Sequence, residues 1–360
     1  MDRYRVAILG TSFGRTVHAP GFQRHTGFEV VAIAGSEAEK VRRVAGELGI
    51  PAAYADWQHL LEEVKPDVVS IATPADLHHP MMLAALERGA SVLCEKPTAL
   101  TRWHAAEMRD RAAALGRVAA IDHEFRFFPA RAFALALTRR GDIGTPRRGE
   151  ILGRYPIWAR PESRGMSWLS RLERGGGVLG ALGSHHTDCL RLFFGEPVSA
   201  LASVRVGQPQ RGSGAGGGVA TADDACTVHY AFEHGASAIV DLDAAVPYRW
   251  ERFEIHGSEA TLRWDETGYR LWRIAVGKEP EELAIPAEHK LEPRAGDSAL
   301  LAPFGVLVER LYRALRGQQP MEPDFDDAVA VQSALDAARA SGESGAVVRV
   351  EIPPPAKHAG

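Results

Sequence analysis

Five short apolar runs in the first third of the chain, at 5–9, 29–34, 68–72, 90–94 and 118–121, alternate with helical segments. A run such as Val68-Val69-Ser70-Ile71-Ala72 has no polar face. It must be covered on both sides, as the strands of a parallel sheet are. The segments between carry helical periodicity instead. Over 37–48, Val41, Val44, Ala45 and Leu48 fall on one face, and Gly49 stands at the C-terminal cap. Further helices are expected at 17–25, 57–64 and 76–88, and from the cap Thr101 to Leu115. Alternation of this kind folds into an α/β, doubly wound parallel sheet with right-handed crossovers.

After about Asp122 the alternation stops. Strand-like stretches at 145–152, 199–206, 225–232, 236–245, 252–256, 260–264 and 269–274 follow one another with few helices between. Amphipathic helices are expected at 300–316 and 325–340. That order gives an α+β C-terminal domain with a large, mostly antiparallel open sheet, and a division of the chain into 1–122 and 123–360. An open sheet with an exposed apolar face invites association, so a homodimer or homotetramer through this sheet is expected. The glycine-rich run 212–218 reads as a flexible loop, and the tail from Pro353 is expected to fray.

The formal net charge of −4 leaves nothing to neutralise phosphates in bulk, which argues against a nucleic-acid partner. The three cysteines, Cys94, Cys189 and Cys226, are far apart and form no CxxC pair, so neither a disulfide framework nor a cysteine zinc site is suggested. The chain opens directly into strand-like Val6-Ala7-Ile8-Leu9, with no signal-peptide core and no membrane-spanning run, so a cytoplasmic location is expected.

Chemistry is expected where the sheet's strands end. After the first strand, Gly10-Thr11-Ser12-Phe13-Gly14-Arg15 lies where a dinucleotide pyrophosphate would rest on the amino end of a helix. Only the first glycine of the usual G-x-G-x-x-G pattern is kept, but the loop opens the first βαβ unit. After the second strand, Gly35-Ser36 carries no carboxylate to bind a ribose 2′-hydroxyl. With Arg15, Lys40 and Arg42 nearby in sequence, NADP is favoured over NAD. Thr73-Pro74 and Glu95-Lys96-Pro97 end two further strands, and the proline presents Lys96 at the sheet's edge.

A second constellation is Gly175-Gly176-Gly177 followed by Gly183-Ser184-His185-His186-Thr187-Asp188. Gly183-Ser184 reads as a turn and N-cap, opening a helix over 185–194 that ends at Gly195. His185 and Asp188, one turn apart, share a face. A histidine in the first turn feels the positive helix end, which disfavours its charged form and poises it as a neutral base. A structural histidine bonded to backbone is the plainer alternative. Adjacent His185 and His186 diverge on a helix, so no metal site is expected.

These motifs, in this order, resemble the glucose–fructose oxidoreductase / inositol dehydrogenase / MocA-like oxidoreductases along almost the full chain. The matches are Val6-Ala7-Ile8-Leu9-Gly10-Thr11 with His18-Ala19-Pro20, Ile71-Ala72-Thr73-Pro74 with His78, Glu95-Lys96-Pro97 and Phe125-Arg126-Phe127. The triple glycine with His185 and Asp188, and Phe325-Asp326-Asp327, complete the set. The resemblance implies a Rossmann domain over 1–122 and a substrate-binding, oligomerising domain over 123–360. It implies an NAD(P)-dependent oxidoreductase acting on a sugar, polyol or related hydroxy/keto compound. Lys96 would stabilise the reacting oxygen, and His185 would be the general acid/base. Ala181 stands where the family often has an aspartate that orients the histidine, and Asp188 is expected to take part of that role. The cofactor is expected on Gly10–Arg15, Gly35, Ser36, Thr73, Pro74, His78, Glu95 and Lys96. The substrate is expected on Arg126, Tyr155, Trp158, Trp168 and His185. Two alternatives stay open: a cofactor-binding sensor with little turnover, and an NAD-assisted glycosidase.

Overall fold

The computed structural model describes residues 3–356. Six parallel strands, β1 (Tyr4–Leu9), β2 (Phe28–Ala34), β3 (Ala52–Tyr54), β4 (Val68–Ile71), β5 (Ser91–Cys94) and β6 (Ala119–Ile121), pair in the order β3-β2-β1-β4-β5-β6. Every residue of β4 and β5 is buried, Ser70 and Ser91 included, as strands covered on both faces are. Helices end where the sequence indicates. Gly49 caps Ala38–Leu48 at φ 64°, and the Thr101 side chain accepts the His104 amide at the start of Arg102–Ala114. The short strand β3 was not foreseen, because its three residues lie at the sheet edge and are only partly covered.

Two compact units divide the chain. The first runs to Glu124 and also takes in Glu292–Val329 and the chain from Pro353; the second comprises Phe125–Leu291 and Ala330–Ile352. The change of rhythm near Asp122 thus marks one break, but residues 292–329 return to the first unit. The helix Leu301–Leu315 belongs there because Phe304 lies against His18 and Phe22, with ring centroids 4.6 and 6.0 Å away. A Cβ at Gly21 would sit 2.4 Å from the Phe304 ring, so the glycine is what admits it. Ile121 also donates its amide to Pro323. The tail expected to fray is held: Arg109 donates to the Pro353 and Pro354 carbonyls at 3.0 and 2.8 Å, and the last four residues lie outside the described ones.

Among the described residues the second unit holds a nine-stranded sheet. All its pairings are antiparallel except Pro146–Arg154 with Ser237–Asp243. Its core is built from alternate residues such as Val228, Tyr230, Val240, Leu242, Phe253 and Ile255. A helix not anticipated from the sequence, Pro129–Arg140, begins with Pro at its first position and ends on Gly141 at φ 88°. The glycine-rich run expected as a loop is partly ordered, since Gly218–Val219 pairs with Gln210–Arg211.

Candidate active site

In the first unit, four loops leave the carboxyl edge of the parallel sheet. Gly10–Gly14 follows β1, Gly35-Ser36 follows β2, Thr73-Pro74 follows β4, and Glu95-Lys96-Pro97 follows β5. β1 and β4 are neighbours where the strand order reverses, the crevice in which such sheets hold ligands. Gly10 has φ 123°, and a Cβ there would lie 2.1 Å from the Ala72 carbonyl oxygen. Only glycine lets this loop lie on the end of β4. The helical run beginning at Gly14 has no side-chain cap from Phe13, which leaves its amino end to an outside acceptor. A Cβ at Gly35 would meet Thr11 Cγ2 at 2.8 Å, so a carboxylate cannot readily occupy the end of β2. Ser12 and Ser36 are exposed, and Thr11 and Phe13 are half-buried. The tight glycine turn, uncapped helix and switch-point crevice together fit a dinucleotide. Arg15 pairs with Glu47 at 2.9 Å and Lys40 with Glu37 at 3.5 Å. Such exposed pairs are weak and easily exchanged for a stronger anion.

His78 lies beneath these loops and is fully buried. Its Nε2 is 2.9 Å from the Thr73 carbonyl, and its Nδ1 is 3.1 Å from that of Pro97. Burial lowers its pKa against the pull of those carbonyls, and the ring lies between the loops after β4 and β5.

Under Lys96 lies a buried polar network. His18 Nδ1 is 2.7 Å from Ser70 Oγ, while its Nε2 is 3.0 Å from Glu95 Oε1 and 3.3 Å from Asp122 Oδ2. The other Glu95 oxygen accepts the Lys96 amide at 3.1 Å and lies 3.9 Å from Lys96 Nζ. Burial alone would raise the Glu95 carboxyl, but Lys96 and His18 outweigh it and hold it at about 2. The carboxyls of Asp122 and Glu124 are pushed the other way, first by burial and then by their charged neighbours. One carboxyl held low and two pushed up therefore lie below the lysine. His18, Glu95 and Asp122 cluster closely enough to suggest metal ligands. Lys96 Nζ, 3.9 Å from Glu95, sets a competing cation beside that cluster. Spacing could not reveal this group, because its members come from the ends of different strands. Sequence reading noted His18 only as a family match and Asp122 only as a boundary.

In the second unit, His185 is the second residue of the helix Ser184–Phe194, but it does not stand at the amino end of the helical run. A π-helical turn over Leu179–Gly183 runs straight into that helix, and Ser184 makes no capping bond. The cap is remote: Asp223 Oδ2 accepts the Leu179 amide at 2.8 Å. Gly177, at φ 103°, allows this approach, since a Cβ there would lie 2.1 Å from Asp223 Oδ1. The expectation that His185 feels the positive helix end is therefore corrected, because the helical run begins well before it. His186 is buried, and burial, then Arg131, push its pKa down.

The segment Phe125-Arg126 grips this helix. The Phe125 ring lies flat on His185, with centroids 3.8 Å apart and planes 5° from parallel. The Arg126 guanidinium takes both oxygens of Asp188, through Nε at 2.6 Å and Nη2 at 2.5 Å, and Arg191 approaches the same carboxylate at 3.5 Å. The expected substrate arginine and the expected catalytic aspartate are thus each other's ion-pair partners. Tyr155 is buried, and burial raises its hydroxyl further from ionisation beside Glu251. Trp158, 2% exposed, is part of the core, with Arg211 4.4 Å above its ring. Trp168 is half-buried at the start of a short 3-10 turn.

A family model described as the oxidoreductase family, NAD-binding Rossmann fold, matches residues 4–123. One described as the GFO/IDH/MocA C-terminal domain matches residues 133–263. The chain is 30% identical to D-apiose dehydrogenase of Paraburkholderia graminis over 279 residues, covering 75% of this chain and 70% of that one. It is 30% identical to 1,5-anhydro-D-fructose reductase of Ensifer adhaerens over 262 residues, covering 72% and 74%. The structure of a levoglucosan dehydrogenase in complex with NADH superposes with a TM-score of 0.89 at 22% identity, covering 98% of this chain and all of that one, a likeness of fold.

Proposed function

We propose, for a chain that belongs to the Gfo/Idh/MocA oxidoreductase family, that it transfers a hydride between a nicotinamide cofactor and a carbinol carbon of a sugar or polyol. Bound nicotinamide supplies the hydride acceptor or donor. Gly10–Arg15 would hold the pyrophosphate, Gly35-Ser36 the adenosine ribose, and Thr73, Pro74 and Lys96 the nicotinamide end. Lys96 hydrogen-bonds the reacting oxygen and stabilises the negative charge that develops there. His185 takes the hydroxyl proton in oxidation and returns it in reduction. The observation that carries this reading is the ionised Glu95 carboxylate 3.9 Å from Lys96 Nζ, a fixed counter-charge that keeps a cation at the sheet's edge. The relatives named for apiose and anhydrofructose support a sugar as substrate.

NADP is favoured over NAD because the end of β2 is closed to a carboxylate and carries Ser36 with Lys40 and Arg42 beyond it. No described helix is long and apolar enough to cross a membrane, and the three cysteines are buried and free. That chemistry suits a reducing, cytoplasmic compartment. The open sheet of the second unit is proposed to pair with a second copy.

The test is turnover with NAD or NADP and a panel of D-apiose, levoglucosan and polyols, followed through the near-ultraviolet band of reduced nicotinamide. Net growth of that band is expected. Substrate consumption with no net change would indicate an NAD-assisted glycosidase. Cofactor binding with no turnover of any member would indicate a sensor.

A further inference from the structure

We infer that Phe125 is a positioning residue for His185, and that the buried Arg131 holds Phe125 in place. The inference rests on the proposed role of His185. Three planar groups lie in a column, beginning with the His185 imidazole flat on Phe125 at 3.8 Å and 5°. The Arg131 guanidinium lies 4.9 Å from the Phe125 ring and 4.9 Å from that of Phe253, with Phe128 at 5.8 Å. Phe253 in turn lies parallel to Trp264, at 5.7 Å and 4°, in the core of the large sheet.

Arg131 is buried in this column, near enough to Glu251 to oppose the rise that burial gives the pKa of that carboxyl. It is 6% exposed, and its Nε and Nη1 have no hydrogen-bond partner. A desolvated guanidinium with two edge nitrogens unbonded is held in part through its faces, and aromatic faces attract it. The cation thus pins Phe125 between itself and His185. Turning the imidazole part-way about its Cβ–Cγ bond would sweep the ring edge through Phe125, so the stack fixes the plane of the ring. A carboxylate at position 181 would fix such a ring by hydrogen bonding, but Ala181 has none to offer. Arg126, the next residue, anchors the same segment to the same helix through Asp188. Phe125 therefore has little freedom to slide. Orientation of this kind raises the rate of a bound substrate's reaction without adding affinity.

Phe125→Leu in the full-length enzyme should lower kcat at least about tenfold and leave KM and NAD(P)H affinity within about twofold, and Phe125→Tyr should restore kcat. Activity is read with the sugar from the panel above that turns over. A second measurement needs no substrate. In NMR spectra of histidine-labelled protein, the His185 ring protons, identified by their loss in His185→Gln, should be shifted upfield by the stacked ring. That shift should vanish in Phe125→Leu and persist in Phe125→Tyr. If Phe125→Leu folds poorly, Phe125→Met takes its place in both arms. Wild-type kcat in Phe125→Leu, with His185→Ala inactive, would overturn the inference and leave the role of His185 standing. Ring shifts unchanged by Phe125→Leu would overturn it as well. Full activity in His185→Ala would remove the reading on which it rests.

Discussion

At the scale of single residues, the charge state of one carboxylate organises the site in the first unit. Glu95 stays ionised because Lys96 and His18 outweigh its burial, while burial pushes the carboxyls of Asp122 and Glu124 up. The two effects oppose each other in stability. The depressed Glu95 contributes stability that is present above the ordinary carboxylate range and is lost as pH falls toward about 2. Asp122 is raised, so the unfolded chain releases a proton that the native state keeps, and its contribution turns unfavourable as pH rises above that ordinary range. Asp122→Asn keeps a neutral hydrogen-bond donor and removes that penalty. Its melting temperature relative to wild type should rise between pH 4 and pH 8. A difference that does not change with pH would mean that Asp122 is ionised in the native protein. None of this was legible in the sequence. Lys96 was marked by its strand end, but its support comes from β1's following helix and the ends of β4, β5 and β6, which only the fold gathers.

At the scale of elements, the sequence revealed what short-range pattern controls. The buried strands β4 and β5 read clearly because short runs that are apolar but for one serine each, with no polar face, fit a parallel sheet covered on both sides. The start of the helix bearing His185 was misread for a physical reason: its cap is Asp223, far away in sequence, where a local Ser184 was expected. Gly177→Ala tests that cap. With φ 103° and Asp223 in contact, it should cost about 2 kcal/mol or more in denaturant unfolding, whereas a neutral result would leave the cap without importance. The grip of Arg126 on Asp188 is tested in the same way. Arg126→Ala takes the bidentate partner from a buried carboxylate, leaving Arg191 at 3.5 Å, and should destabilise by about 3 kcal/mol, and Arg126→Ala with Asp188→Ala should recover part of that loss. Loss in the single variant with no recovery in the double would show that packing, not charge pairing, is what Arg126 supplies.

At the scale of the whole molecule, the fold class was legible, but the path of the chain was not. The change from alternating to consecutive strands gave both sheets, whereas the return of residues 292–329 to the first unit depends on Phe304 meeting the Gly21 turn. Such a contact has no local signature. Association through the open sheet belongs to this scale too. Sedimentation at micromolar concentration is expected to give a dimer or tetramer, and a monomer would remove that proposal. Thermal shifts with NAD, NADH, NADP and NADPH should show the larger rise with the phosphorylated pair. A larger rise with NAD and NADH would reverse the cofactor preference.

The claim that joins these scales is that Lys96 and His185 perform chemistry and do not merely bind. It is tested by single-turnover rates of hydride transfer in wild type, Lys96→Ala and His185→Ala, with NAD(P)H affinity measured in parallel by fluorescence. Each variant should transfer hydride at least about a hundredfold more slowly while binding the reduced cofactor nearly as wild type does. Wild-type transfer rates in both variants, or rate losses matched by an equal loss of cofactor affinity, would contradict it.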